Sequence, residues 1–178
     1  MENKKILFLS YSRHQYKYFR FLCKHLKPEG CFLLSATKSF IKGVFRKNKT
    51  RQLTDEEIEP IIEYSFLYFT ARWHLEKDSP FARLYHKCLV FMGKQLYKYY
   101  LSYLKDKKID LLIVWNGSFV EAASGVKAAR DLGRKVIFME NGFFPQTLVL
   151  DEKGVNAANS LAGRSTVNRT GIHRESMA

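Results

Sequence analysis

The chain has 178 residues, 46% of them hydrophobic, and a formal net charge of +13 at pH 7. That composition supplies enough apolar material for a buried core, and the length fits one domain by the usual prior of roughly 100–200 residues. No apolar run approaches the ~20 residues of a membrane span, and Ile6 to Leu9 is too short for a signal-peptide core, so a cytoplasmic location is expected.

The three cysteines, Cys23, Cys31 and Cys88, are odd in number and show no CxxC spacing. They suggest neither a disulfide framework nor a metal site, and each reads as a small buried apolar residue. The charge is uneven: residues 1–53 hold thirteen Lys or Arg against Glu2 and Glu29, a local excess of +11. A basic region of this kind attracts an anionic partner such as nucleic acid, acidic lipid headgroups or an acidic substrate, the plainer reading being a solvated surface. No nucleic-acid-binding motif accompanies it, so nucleic acid is not the expected partner.

Lys5 to Ser10 reads as a buried strand, and residues 13–27 follow with Phe19, Leu22, Cys23 and Leu26 at helical spacing, stopped by Pro28 and Gly30. Cys31 to Leu34 is a second strand, and a β-α-β order favours a parallel sheet with covering helices. The loop after the first strand, Tyr11-Ser12-Arg13-His14, lacks the glycines of a dinucleotide or P-loop site, although a helix start beside Ser12 and Arg13 suits an anion. Residues 38–53 are basic and weakly periodic, and an irregular surface segment is expected there. Thr54 with Glu57 fits a capping box ahead of Ile58, Ile61, Ile62, Phe66, Phe69 and Trp73, while Pro60 argues that the regular helix begins only at that point. Pro80 opens another helix, with Leu84, Cys88, Phe91, Met92, Leu96, Tyr99 and Tyr103 as its expected core stripe. His74 and His86 have no ligand partner pattern and read as structural.

Ile109 to Trp115 is the clearest buried strand, and it ends on Asn116-Gly117-Ser118. A helix with Ala122, Val126, Ala129 and Leu132 inward and Gly133 as its stop leads to the strand Lys135 to Met139, which ends on Glu140. Asn116 and Glu140 thus fall at the carboxyl ends of successive parallel strands, the edge at which open α/β sheets bind ligands. After Glu140-Asn141-Gly142, a turn through Pro145 leads to a β-type run, Thr147 to Leu150, that ends on Asp151. Two carboxylates eleven residues apart, surrounded by amide side chains and glycines, suit sugar chemistry, in which one carboxylate stabilises or attacks an oxocarbenium-like centre. The same residue types also build ordinary turns.

The order of motifs adds more: Trp115-Asn116-Gly117, then Glu140-Asn141-Gly142-Phe143-Phe144-Pro145, then TLVLDEKGVNAANS from Thr147 to Ser160. Over these roughly 45 residues the chain resembles the bacterial capsular polysaccharide biosynthesis proteins related to the β-Kdo glycosyltransferases. The resemblance implies a Rossmann-like lobe, the amino-terminal one of a two-lobed GT-B enzyme, that takes Kdo from CMP-Kdo to a lipid or glycan acceptor in surface-polysaccharide assembly. It implies no cofactor beyond that donor substrate, and a place at the inner face of the cytoplasmic membrane beside other capsule-assembly proteins. It makes Asp151 and Glu140 the candidate catalytic carboxylates, with Asp151 preferred as nucleophile or base. It makes Asn116, Gly117, Asn141, Gly142, Asn156 and Asn159 the candidate sugar-binding residues. Residues 1–161 then form the lobe, and 162–178, rich in Ser, Thr and Arg, read as a disordered or aberrant tail, with the nucleotide-binding lobe missing and the fragment inactive alone. A non-catalytic α/β module for an anionic partner is the alternative.

Overall fold

The structure, a computed structural model, describes residues 4–26, 30–46, 50–142, 144, 146–155 and 160. The Pro145 turn position, Asn156, Asn159 and the 162–178 tail lie outside the described residues. The architecture is an α/β sandwich around a five-stranded sheet of order β2-β1-β3-β4-β5. Strands β1 (Ile6–Ser10), β2 (Cys31–Ser35), β3 (Leu111–Trp115) and β4 (Lys135–Asn141) run parallel, and β5 (Leu148–Asp151) pairs antiparallel with β4. The Rossmann-like arrangement expected from the β-α-β order is therefore present, with one antiparallel edge strand added.

Side-chain alternation divides the core in two. Phe8, Ile113 and Met139 face helix α1 (Arg13–Leu26), which buries Phe19 against them. Leu7, Leu9, Leu112, Val114, Val136 and Phe138 face the other layer, made by α4 (Pro80–Lys107) and α5 (Val120–Asp131). α2 (Ala36–Phe45) and α3 (Asp55–Arg72) pack on α4 in turn. Three helix starts carry a side-chain cap: Ser12 Oγ accepts from the Gln15 amide (3.2 Å) at α1, the Ser79 hydroxyl accepts from Ala82 at α4, and the Thr54/Glu57 capping box closes in both directions at α3, while Ser35 at α2 makes no such bond. α5 has no side-chain cap of its own. Instead the buried Ser65 hydroxyl of α3 accepts from the Val120 amide at 2.8 Å.

Several expectations are corrected. Within 38–53, residues up to Phe45 form most of α2, whose buried face is made of small residues rather than large apolar ones: Ala36, Ser39 and Gly43 lie against α4. A Cβ on Gly43 would overlap the Gln95 carbonyl, so the two helices approach backbone to backbone there. Leu53, at 3% exposure, and Arg51, bonded to Asp131 at 2.7 Å and paired with Glu57, pin residues 51–53. α3 begins at Asp55 with Pro60 inside it; the box at its start and the burial of Ile58, Ile61 and Ile62 outweigh one lost backbone bond. On α4 the stripe holds from Met92 onward but not before. Ala82, Leu89 and Gly93 face the core, whereas Leu84 and Phe91 are more than half exposed and Cys88 is exposed rather than buried. Cys23 and Cys31 are partly buried, and burial pushes the Cys23 thiol up to about 11. Finally, the basic first third is not one face. Lys17, Arg20 and Lys24 ride on α1 and Lys38 and Lys42 on α2, on opposite sides of the sheet.

Candidate functional site

The strand order reverses direction between β1 and β3: the chain leaves β1 for β2 on one side and reaches β3 on the other. Such a switch point opens a crevice at the carboxyl ends of the strands. Here that edge carries Tyr11 and Ser12 after β1, Trp115-Asn116-Gly117 after β3 and Glu140-Asn141 at the end of β4.

Asn116 and Glu140 meet. The Asn116 amide nitrogen donates to Glu140 Oε2 at 2.9 Å, Trp115 Nε1 donates to Oε1 at 3.1 Å, and the Asn141 backbone N–H donates to the same oxygen at 3.0 Å. Asn116 reaches this position with φ 61°, its own N–H bonded to the Met139 carbonyl at 2.8 Å. Gly117 follows at φ 90°, where a Cβ would come within 2.5 Å of the Phe138 ring. That glycine is required by the turn whatever else it does. Gly142 is explained in the same way: its N–H donates to the Thr147 carbonyl at 2.8 Å, with no room for a Cβ beside the Thr147 side chain.

Two clefts flank this cluster; Glu140 lines neither, but its partners do, Trp115 and Asn141 the first and Asn116 the second. The first, about 720 Å³, lies on the α1 side and is walled by His14, Gln15 and Tyr18 of α1, Trp115, Asn141, and Gln146 and Thr147 of the hairpin. Tyr18 meets the Trp115 ring edge-on with centroids 6.0 Å apart. The second, about 520 Å³, lies on the α5 side between Asn116-Gly117-Ser118, Lys127 and Arg130 of α5, and Lys153-Gly154 after β5. Arg130 covers the Phe138 ring there at 5.8 Å. The proposed sugar residues are thus divided: Asn141 and Gly142 border the first cleft, Asn116 and Gly117 the second. Nearby, Tyr11 packs on Phe119, and burial pushes its phenol up, with the charge of Glu140 adding to the effect.

Asp151 is placed differently. The register sets it opposite Phe138 while Val149 lies opposite Glu140, so both carboxylates project from one face of the β4–β5 pair as diagonal neighbours, typically about 7–8 Å apart. The oxygens of Asp151, however, are taken by the backbone. Lys153 and Gly154 N–H groups donate to Oδ1 at 2.7 and 3.1 Å, and the Ser160 N–H donates to Oδ2 at 2.9 Å. These bonds, those from Ser160 foremost, hold its carboxyl well below the usual carboxylate range.

The α1 wall of the first cleft carries no sequence signature. His14, Gln15 and Tyr18 form no motif; the only pointer was their place in the loop and first turns after β1. Among the described residues no group of three or more His, Cys, Asp or Glu is arranged to hold a metal ion, and no helix is long and apolar enough to cross a membrane.

No family model matches the sequence, and no solved structure matches it. Over 77 aligned residues the chain is 41% identical to Protein FixF of Sinorhizobium fredii, an alignment that covers 40% of this chain and 19% of FixF. The matched part is therefore about a fifth of that relative's length.

Proposed function

We propose that this chain is a lobe of a capsule-type glycosyltransferase, with its carboxyl edge handling Kdo that is transferred from CMP-Kdo to a lipid or glycan acceptor. The observation that carries the reading is Glu140, a half-buried carboxylate clamped by the Trp115 indole and the Asn116 amide, two side chains that line open clefts. The rest of the first cleft supports it. Tyr18, Trp115 and Phe144 offer ring faces or edges, and Gln15, Asn141 and Gln146 offer amides, the combination that suits a sugar with one apolar face and a rim of hydroxyls.

Between the two carboxylates the geometry favours Glu140 as the group that meets the sugar. A carboxylate engaged by three backbone N–H groups is a weak base, and Asp151 serves first to close the turn after β5. Glu140 is held by two side chains that line the clefts, so a ligand in either cleft contacts its hydrogen-bond partners.

The test uses Trp115 as the reporter. In a Trp73→Phe background, Trp115 is the single remaining indole. Titration with a Kdo-terminated oligosaccharide is expected to shift or quench its emission saturably, while a glucose-terminated control leaves it unchanged. No response to the Kdo sugar, or an equal response to both, would remove the reading.

A further inference from the structure

Cys23 and Cys31 show no spacing that pairs them in the sequence, yet the fold brings them together. Cys23 stands one turn after Phe19, the residue that α1 buries in the sheet, and shares its inward face. Cys31 opens β2, where alternation sends Cys31 and Leu33 to the side of the sheet that carries Ile6 and Phe8. Both cysteines pack against the cluster around Phe8 and Phe19, and the Cys23 thiol lies within hydrogen-bonding reach of the Cys31 sulfur. Both are only partly buried, so neither is sealed from solvent. Cys88 stands apart, exposed on α4 in the layer across the sheet.

The two sulfurs are not equivalent. Burial above all, and then the neighbouring Cys31 sulfur, push the Cys23 thiol up to about 11. A thiol held protonated in this way is the donor of the pair, with the Cys31 sulfur as its acceptor. The thiolate is the form that attacks a disulfide, so a thiol held protonated takes the second place in an exchange, after its neighbour has been linked.

We propose that Cys23 and Cys31 form an oxidisable dithiol, a covalent site that reacts with low-molecular-weight disulfides of the glutathione type and closes to a bond between α1 and β2. In the first step the Cys31 thiolate, its proton given to solvent, attacks one sulfur of the glutathione disulfide; that S–S bond breaks and one glutathione thiolate leaves and is protonated. Cys23 then loses its proton to water and attacks Cys31 Sγ, expelling the second glutathione, which takes up a proton in turn. Two protein thiols are oxidised and one disulfide is reduced to two thiols, so electrons and protons balance. The bond ties the carboxyl-terminal half of α1, whose first turns wall the larger cleft, to the edge strand β2. The inference is independent of the sugar reading, because neither cysteine lines a cleft at the carboxyl edge.

The experiment equilibrates the whole chain, folded or unfolded in urea, with graded ratios of reduced to oxidised glutathione at neutral pH. Acid quenching, alkylation of the remaining thiols and mass spectrometry of unreduced digests then locate the bonds. A peptide pair joined through Cys23 and Cys31 is expected, with Cys88 left out of it. The equilibrium constant for closure against glutathione is expected to be at least about tenfold larger in the folded chain than in urea, since only the fold holds the two sulfurs in contact. The closed bond should therefore also raise the urea midpoint of unfolding. Cys23→Ser is expected to trap glutathione on Cys31, and Cys31→Ser to leave Cys23 unmodified. A closure constant no larger folded than unfolded, or a bond from either cysteine to Cys88 in its place, would each overturn the proposal. Glutathione trapped on Cys23 of Cys31→Ser, and not on Cys31 of Cys23→Ser, would overturn the order of attack.

Discussion

Glu140 and Asp151 are two carboxylates on one face of the same pair of strands, and their surroundings differ in kind. Glu140 accepts from an indole, a side-chain amide and one backbone N–H, whereas Asp151 accepts from three backbone N–H groups, at Lys153, Gly154 and Ser160, with the Ser160 side chain beside it. The first arrangement orients a charge with two side chains that line clefts. The second ties down a turn. What distinguishes a group available for chemistry from one committed to structure is therefore which donors satisfy it, and not residue type or strand position, which the two nearly share.

The largest change to this contrast is expected from Gly117→Ala. At φ 90° and with the Phe138 ring 2.5 Å from the added methyl, the turn must shift, at a cost on the order of 2–3 kcal/mol. That shift moves Asn116 away from Glu140 while leaving the Asp151 turn in place. Thermal unfolding should show the loss, and exchange of the Lys153 and Gly154 amides should stay protected. If those amides also lose protection, the two carboxylates are coupled and the contrast is too sharp.

A smaller, local effect is expected at Asp151. Its folded-state carboxyl is depressed, so its contribution is present above the ordinary carboxylate range, near pH 4, and is lost as the pH falls through that range toward the folded value. Asp151→Asn should speed exchange of the Lys153, Gly154 and Ser160 amides by roughly threefold to tenfold near neutral pH. The difference from the parent should shrink as the solution is acidified below that range. An effect independent of pH would mean that shape, and not the charge, closes the turn.

Much of the fold was legible because parallel strands buried on both faces read as unbroken apolar runs, as in Leu111 to Trp115, and because capping residues such as Thr54 and Glu57 announce a helix start. The meeting of Asn116 and Glu140 followed from the same reading, since strands in register end together. α2 was hidden because Ala36, Ser39 and Gly43 make a buried face with no large apolar residue on it. The first half of α4 misled for the opposite reason: Leu84, Cys88 and Phe91 have helical spacing, but periodicity cannot say which apolar face the chain itself covers. The commitment of Asp151 was also out of reach, because bonds to amides two, three and nine residues on depend on how the turn closes.

In the proposed function Glu140, and not Asp151, meets the sugar. Calorimetric titration of a Kdo-terminated oligosaccharide into the parent chain, Glu140→Gln and Asp151→Asn, each first shown to be folded, tests it directly. The account predicts at least about tenfold weaker binding for Glu140→Gln, as expected when a charged hydrogen-bond partner is removed, and no more than about threefold for Asp151→Asn. Undiminished binding by Glu140→Gln, with the loss falling on Asp151→Asn, would contradict it.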